Sequence, residues 1–404
     1  MPGPLSGVRV LDASTIVLGP LASQQLADLG ADVIKIETPA GDTLRRIGVT
    51  RNPGMSAYFL ACNRNKRSLV LNLKHASAQA ALTALIARAD VFLHNFRPAT
   101  AERLNLSYGR VRAENPSIVY CATYGYSATG PYGDKPAYDD VVQAASGFAA
   151  MQSVLTGAPR FVPSIIADKT ASNAVAQAIL AALVHKFRTG EGQAVEVPMF
   201  ETLVAWNMVE HLAGSTYVPP LGPPGLDRHI NNWRRPFQTK DGYLAIWPYE
   251  EAHWRDFFAI TGRQDLQADP RYGEAKARQQ NIENLFDEIA KILVERTNDE
   301  WMKAFAKTNI AVMPVSSLDD LLKDPHLEAT GFWQTIHHPT EGKLLMPGLP
   351  TRFSGTPASI HRHQPLLGEH SREILKEAGL TDAAIAEMFA DGAAVEAADA
   401  VPAS

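Results

Sequence analysis

Asp168 stands in PSIIADKTAS (163–172), after the apolar run 162–167 and ahead of a helix that the pattern starts near Thr170. A carboxylate there has two uses. It caps the helix by accepting N–H bonds from the first turn, or it is presented at a strand or loop end as a nucleophile toward an electrophilic carbonyl. One residue can do both, and the pattern leaves both open. Two basic groups accompany it: Arg64, Lys66, Arg67 and Lys74 in NRNKRSLVLNLK (63–74), and Arg97 and Arg103 in HNFRPATAERLNL (94–106). The second segment also opens a helix, with Pro98 in its first turn and Thr100 as a candidate cap. Basic clusters at neighbouring strand ends suit the phosphates of a nucleotide-like ligand, helped by the N–H groups of that helix start. The bland alternative is a solvated basic rim. Tyr138, in KPAYDDVVQAASG (135–147), reads first as a packed aromatic and only second as a catalytic group.

Common cofactor signatures are missing: no GxGxxG follows a strand, and no GxxxxGK[ST], HExxH or GxSxG occurs. His337-His338 and His361-x-His363 lack the cysteine or carboxylate spacing of a metal site, so no metal is expected. The chain has 404 residues and a net charge of −5, with 46% hydrophobic and 20% charged residues. That composition suits a folded globular protein and argues against broad nucleic-acid or anionic-membrane binding. Two cysteines, Cys62 and Cys121, give no disulfide framework. No secretory signal is read at the N-terminus, and the longest apolar stretch, near 174–185, is too short to span a bilayer. A cytoplasmic protein is expected.

These residues need a scaffold, and the first 125 residues supply one. Strand-like runs at 7–14, 31–37, 68–73, 90–96 and 116–124 alternate with helix-like runs at 21–30 and 76–89. Such alternation implies βαβ units and a parallel sheet, with ligands beyond the carboxyl ends of its strands. Two long helices flank a short strand over 171–214. A Pro- and Gly-rich stretch at 217–236 reads as a linker, and a smaller unit at 237–330 begins with a hairpin turning at Asp241-Gly242. The expected division is a large domain over 1–216, the linker, the small domain, and a returning segment at 331–404. That last segment ends in an amphipathic helix and a frayed Ala-rich tail.

In combination these segments resemble the class III CoA-transferases, the CaiB–BaiF family. The resemblance rests on PLSGVRVLDASTIVLGPLASQQLADLGADVIKIE (4–37), YFLACNRNKRSLVLNLK (58–74), HNFRPATAERL (94–104), YGYSATGPYGDKPAYDDVVQAASG (124–147), HKFRTGEGQAVEVPMFE (185–201) and PLLGEHSREIL (365–375). It covers almost the whole chain. It implies an α/β fold, with a large Rossmann-like domain built from both chain ends and a smaller domain inserted between them. It also implies an interlocked, ring-like homodimer. By position Asp168 matches the catalytic aspartate. Coenzyme A, carried as acyl-CoA, is implied to meet Val17, Leu18, Arg64, Leu71, Asn72, Lys74, Asn95, Phe96, Arg97, Arg103 and Tyr138. Tyr58, Asp139, Arg234 and Arg235 are taken as contacts to the acid substrate. The implied activity is transfer of CoA between a thioester and a free carboxylic acid, with no metal.

Formyl-CoA transferases carry Gln where this chain has Val17 and Arg where it has Thr38, and their run of four glycines is absent from GPPGLDRHINNWRRPFQ. Oxalate is therefore disfavoured as acceptor. Arg234 and Arg235 either meet the second carboxylate of a dicarboxylic acid such as succinate or form an exposed linker pair, and the pattern leaves both open. Three rival readings stand beside this one. An α-methylacyl-CoA racemase needs a His/Asp pair in a GHD-like segment, but Ala137-Tyr138-Asp139 stands there, and a phenol is a poor base at neutral pH. A non-catalytic CoA-binding protein would not need Asp168. A nicotinamide oxidoreductase would need the glycine fingerprint that STIVLGP lacks.

Overall fold

The computed structural model describes residues 3–397. Contacts divide the chain into two compact units. One comprises the residues up to Ser153, then Ala158–Val209, then the chain from Ala329 onward; the other comprises Val154–Gly157 and Glu210–Glu328. Twelve strands occur among the described residues: β1 (Arg9–Asp12), β2 (Asp32–Glu37), β3 (Lys66–Leu71), β4 (Val91–His94), β5 (Val119–Tyr124), β6 (Ala194–Pro198), β7 (Phe237–Gln238), β8 (Tyr243–Trp247), β9 (Ala311–Pro314), β10 (Trp333–His338), β11 (Gly342–Pro347) and β12 (Ala394–Val395).

The first unit is built on a seven-stranded sheet in the order β12-β3-β2-β1-β4-β5-β6. All neighbours are parallel except β12, which runs antiparallel to β3. Successive residues of each strand face opposite sides, so Leu11 joins one core and Val10 the other. The Leu11 core gathers Ile34, Leu69, Phe92 and Tyr120 with Leu82, Ile374, Leu375 and Ile385 from covering helices. The Val10 core gathers Val33, Leu93, Val119 and Cys121 against two helices, Leu18–Asp28 and Ile166–Thr189. An α/β architecture with a large parallel sheet is thus present.

The second unit holds β7, β8 and β9 as an antiparallel sheet, with the 239–242 turn between β7 and β8. Its own aromatic core includes Trp254, Phe257, Phe258, Trp301 and Phe305. Separately, β10 and β11 form an antiparallel hairpin in the first unit. No helix among the described residues is long and apolar enough to cross a membrane.

Three local expectations change. The helix carrying Asp168 starts at Ile166, not near Thr170, so Asp168 lies inside its first turn and is not the cap, which is Ile165. Arg97, not Thr100, precedes the short helix Pro98–Arg103, with Pro98 as its first residue. The final helix, Asp382–Ala390, is followed by β12, whose pairing with Leu71 and Val70 orders part of the Ala-rich tail. The frayed end expected beyond it lies outside the described residues.

Candidate active site

Strand β1 pairs with β2 on one side and β4 on the other, so the winding of the sheet reverses there. Loops leaving the carboxyl ends of β1 and β4 diverge to opposite faces and open a crevice. A cleft of about 270 Å3 occupies that position. Thr15, Ile16 and Leu18 reach it from β1, Asn95 and Arg97 from β4, Tyr124 and Gly125 from the end of β5, and Met199 from beyond β6. Lys135, Tyr138 and Asp168 complete the wall. Gly125 is required by proximity, since a Cβ there would sit 2.1 Å from Ala137 Cβ.

The loop after β1 is held tightly. The Asn95 side chain brackets Thr15, accepting from its N–H (3.1 Å) and donating to its carbonyl (2.9 Å). Ile16 has φ of 70°, uncommon for a β-branched residue, and its N–H donates to Asp42 Oδ1 at 3.2 Å. Beneath lies a buried ion network of three cations and three anions. Lys35 Nζ bonds Asp42 (2.8 Å) and the Ser14 carbonyl (3.1 Å). Lys66 Nζ bonds Asp12 (3.1 Å), Asn63 and the Pro20 carbonyl (both 2.8 Å). Arg45 forks onto Glu37 at 2.8 and 2.7 Å. Burial pushes the Lys66 ammonium down to about 8, against the opposing pull of Asp12. On β4, burial depresses His94 to about 3, leaving it neutral. Its Nδ1 accepts from Phe96 N–H, so Nε2 carries the proton and donates to Tyr120 Oη at 2.6 Å.

Asp168 is partly buried where two helix N-termini meet. The Leu18 N–H, first in the helix Leu18–Asp28, lies beside the Asp168 carboxylate and favours its ionised form. Ser172 Oγ ties the two helices by donating to the carbonyls of Leu18 (2.8 Å) and Asp168 (2.7 Å). Buried Asp139 reaches the start of the Asp168 helix from another segment, accepting from Ala167 N–H at 2.7 Å and Asp168 N–H at 3.1 Å. Burial, and after it the Asp139 charge, push the Asp168 carboxyl up to about 7, while the Leu18 N–H works in the opposite direction. A half-desolvated carboxylate beside an N–H donor suits attack on a carbonyl carbon, because little solvent must leave before the bond forms.

Of the residues singled out from sequence, Leu18, Asn95, Arg97, Tyr138 and Asp168 come together in the cleft. Tyr138 is 69% exposed, which overturns its reading as a packed aromatic. Tyr58 packs against a small cluster of Leu44, Met55, Phe59 and Leu60, and burial and then the Asp168 charge raise its phenol pKa. Val17 is buried in that same small cluster. Phe96 packs on the Leu11 core, and Leu71 is a buried member of it. Asn72 turns the chain after β3, taking the Lys74 N–H at 3.3 Å. Lys74 and Arg103 are exposed and do not line the cleft.

The remaining basic residues of 63–74 are committed elsewhere. Arg64 forks onto Asp28 (2.8 to 3.2 Å) and bonds the Pro347 carbonyl. Arg67 holds Asp32, Glu373 and Glu377. Arg64, Lys66 and Arg67 are thus each paired with acids that are distant in sequence. In the second unit, exposed Arg234 and Arg235 line a cleft of about 400 Å3 with Trp247, Tyr249 and Met313. Sequence reasoning missed Lys135 and Gln143, although both lie in KPAYDDVVQAASG. Lys135 carries the second cationic side chain of the Asp168 cleft; Gln143, fully buried, bonds Asp139.

The sequence pattern of CoA-transferase family III matches residues 5–371. The chain belongs to that family. Among its relatives, a probable fatty acyl-CoA transferase of Mycobacterium tuberculosis is 32% identical over 384 residues, spanning 92% of this chain and 97% of that one. A crystal structure of the mycobacterial protein gives a TM-score of 0.80 at 31% identity, covering 92% of this chain and 99% of that chain. A human succinyl-CoA:glutarate CoA-transferase is 30% identical over 401 residues, 96% of this chain and 89% of its own. The formyl-CoA:oxalate CoA-transferase of Escherichia coli O157:H7 is 30% identical over 415 residues, with 96% and 99% covered. In this family III member no group of three or more His, Cys, Asp or Glu side chains that could hold a metal ion occurs among the described residues.

Proposed function

We propose that this protein transfers CoA from an acyl-CoA thioester to a free carboxylic acid, with Asp168 as the covalent nucleophile. The observation that carries the reading is Asp168 itself: a half-desolvated carboxylate in the wall of the switch-point cleft, facing the Leu18 N–H. Its carboxylate attacks the donor thioester carbonyl, the C–S bond breaks, and CoA leaves as thiolate. The product is an aspartyl–acyl mixed anhydride. Thiolate then attacks the Asp168 carbonyl of the anhydride, releasing the donor acid and leaving an aspartyl-CoA thioester. The acceptor carboxylate attacks that thioester and expels thiolate. The thiolate then attacks the acceptor carbonyl, forming the new acyl-CoA and restoring the Asp168 carboxylate. One thioester replaces another, so the steps are close to balanced and need no other energy source. The Leu18 N–H is placed to stabilise the oxyanion on the Asp168 carbonyl.

Arg97 and Lys135 are the cationic side chains of this cleft and are assigned to the CoA phosphates, with Leu18, Asn95 and Tyr138 beside them. The acceptor is proposed to be a dicarboxylate such as succinate, in keeping with the acids named for the human and E. coli relatives. Arg234 and Arg235 are assigned to its second carboxylate and Tyr58 to the substrate near Asp168. An interlocked homodimer acting in the cytoplasm completes the proposal, and the two free buried cysteines suit a reducing compartment.

The test is peptide mass spectrometry after incubation with succinyl-CoA or acetyl-CoA and trapping with borohydride or hydroxylamine. Modification of the Asp168 peptide, absent in Asp168→Ala, is the expected result. No modification across a broad acyl-CoA panel, with α-proton exchange in deuterated water instead, would replace this reading with a racemase.

A further inference from the structure

We infer that Asp139 and Gln143 act as one positioning clamp for Asp168, fixing its backbone and its charge state without touching substrate. The inference rests on Asp168 being the nucleophile and deepens that assignment. Sequence alone put Asp139 on the substrate. In the structure it is 7% exposed and both of its oxygens are engaged. Oδ1 takes the N–H groups of Ala167 and Asp168, which have no partner within their own helix. Oδ2 takes Gln143 Nε2 at 2.5 Å.

Gln143 is fully buried and reaches the same loop twice more. Its Nε2 donates to the Ser164 carbonyl at 3.0 Å, and its Oε1 accepts from Val162 N–H at 2.9 Å. Both residues lie on one short helix, Asp139–Ala145, four positions apart and so on the same face. Together they make five bonds to, or in support of, the 162–168 segment. None goes to a side chain that lines the cleft. The helix start is therefore capped from outside its own sequence, which frees the Asp168 side chain from capping duty. The same geometry places a fixed negative charge beside the nucleophile.

Titratable and charged groups facing Asp168 from the packed elements are Asp139, Tyr58 and Cys62, and within the cleft Arg97, Lys135, Tyr124 and Tyr138. Of these groups Asp139 is the one that bonds the Asp168 backbone.

The test compares Asp139→Asn and Gln143→Leu with the wild type in two measurements that need no acyl-CoA. One is pH-dependent carbodiimide labelling of the Asp168 peptide; the other is hydrogen exchange of the 162–168 amides. Asparagine retains an acceptor for the two N–H groups but loses both the charge and the acceptor for Gln143 Nε2, so the labelling midpoint falls by about one pH unit. Gln143→Leu keeps the charge, leaves the midpoint within about half a unit, and speeds amide exchange about tenfold or more. In turnover it lowers kcat with little change in KM for acyl-CoA. An unchanged midpoint in Asp139→Asn, or unchanged exchange in Gln143→Leu, overturns the clamp. Failure of Asp168 as nucleophile would register separately, as absence of covalent trapping in the wild type.

Discussion

Replacing Asp168 by Asn should abolish turnover and stabilise the protein, with the gain growing as pH rises. Asp168 titrates near 7 in the folded state, against 3.8 for an ordinary aspartate. A carboxylate with a raised folded pKa destabilises the fold once it is ionised. The penalty is absent below pH 4, grows between 4 and 7, and is complete above 7. Three pKa units amount to about 4 kcal/mol at pH 8, and the same linkage gives about 1.7 kcal/mol at pH 5. Partial solvent access halves these ceilings, leaving about 2 and about 1 kcal/mol. Asparagine has no such titration and keeps an oxygen acceptor beside the Leu18 N–H. Urea melts of wild type and Asp168→Asn at pH 5 and pH 8 measure the difference directly. The variant should be more stable at both, with the larger margin at pH 8. An equal margin at the two pH values, or a loss of stability at pH 8, would refute the placement of this carboxylate in a desolvating environment. Wild-type kcat/KM should rise about tenfold between pH 6 and pH 8 for the same reason, because only the ionised form attacks.

Arg97→Ala and Lys135→Ala should each raise KM for acyl-CoA about tenfold, as expected for loss of one charge-assisted contact to phosphate, with kcat within about twofold. Steady-state kinetics at two salt concentrations will show whether the wild-type KM is the more salt-sensitive, as phosphate recognition requires. Gly125→Ala must move the 136–138 backbone by more than an ångström, because the new methyl would lie 2.1 Å from Ala137 Cβ. Overpacking of that kind costs about 1–3 kcal/mol, read as a lower urea midpoint together with weakened acyl-CoA binding.

The parallel sheet was legible because β1 to β5 are β-branched runs punctuated by helices of suitable length, a local signal. From its local pattern Asp168 was legible as a carboxylate at a helix start, either cap or nucleophile, and only the resemblance matched it to a catalytic aspartate. Its distinction from a cap depends on Asp139, 29 residues earlier, already filling that role, and periodicity carries no such information. The same blindness explains Arg64 and Arg67. Sequence shows a positive charge but not the acid that neutralises it, and Asp28 and Glu377 reach these two arginines only through the folded topology. The strand β12 was hidden for a different reason: Ala394 and Val395 are a two-residue strand in an alanine-rich tail, too short for a periodic signal, and pairing with β3 decides their state.

The sheet also constrains how the protein is made. The core on one face of β1 to β5 includes Ile374, Leu375, Ile385, Met388 and Ala394, residues separated from the first five strands by the whole of Glu210–Glu328. A ribosome adding about 5–20 residues per second needs roughly 10–30 s to travel from residue 210 to residue 371. Throughout that interval the emerging sheet has Leu82, Phe92 and Tyr120 without their last covering helices, and β3 stands as an open edge. The nascent chain is thus a natural client for a holdase, whereas the contiguous 210–328 segment can begin packing its aromatic core as it emerges. Changes that slow translation through that segment should lower the yield of assembled protein without altering the stability of the molecules that finish.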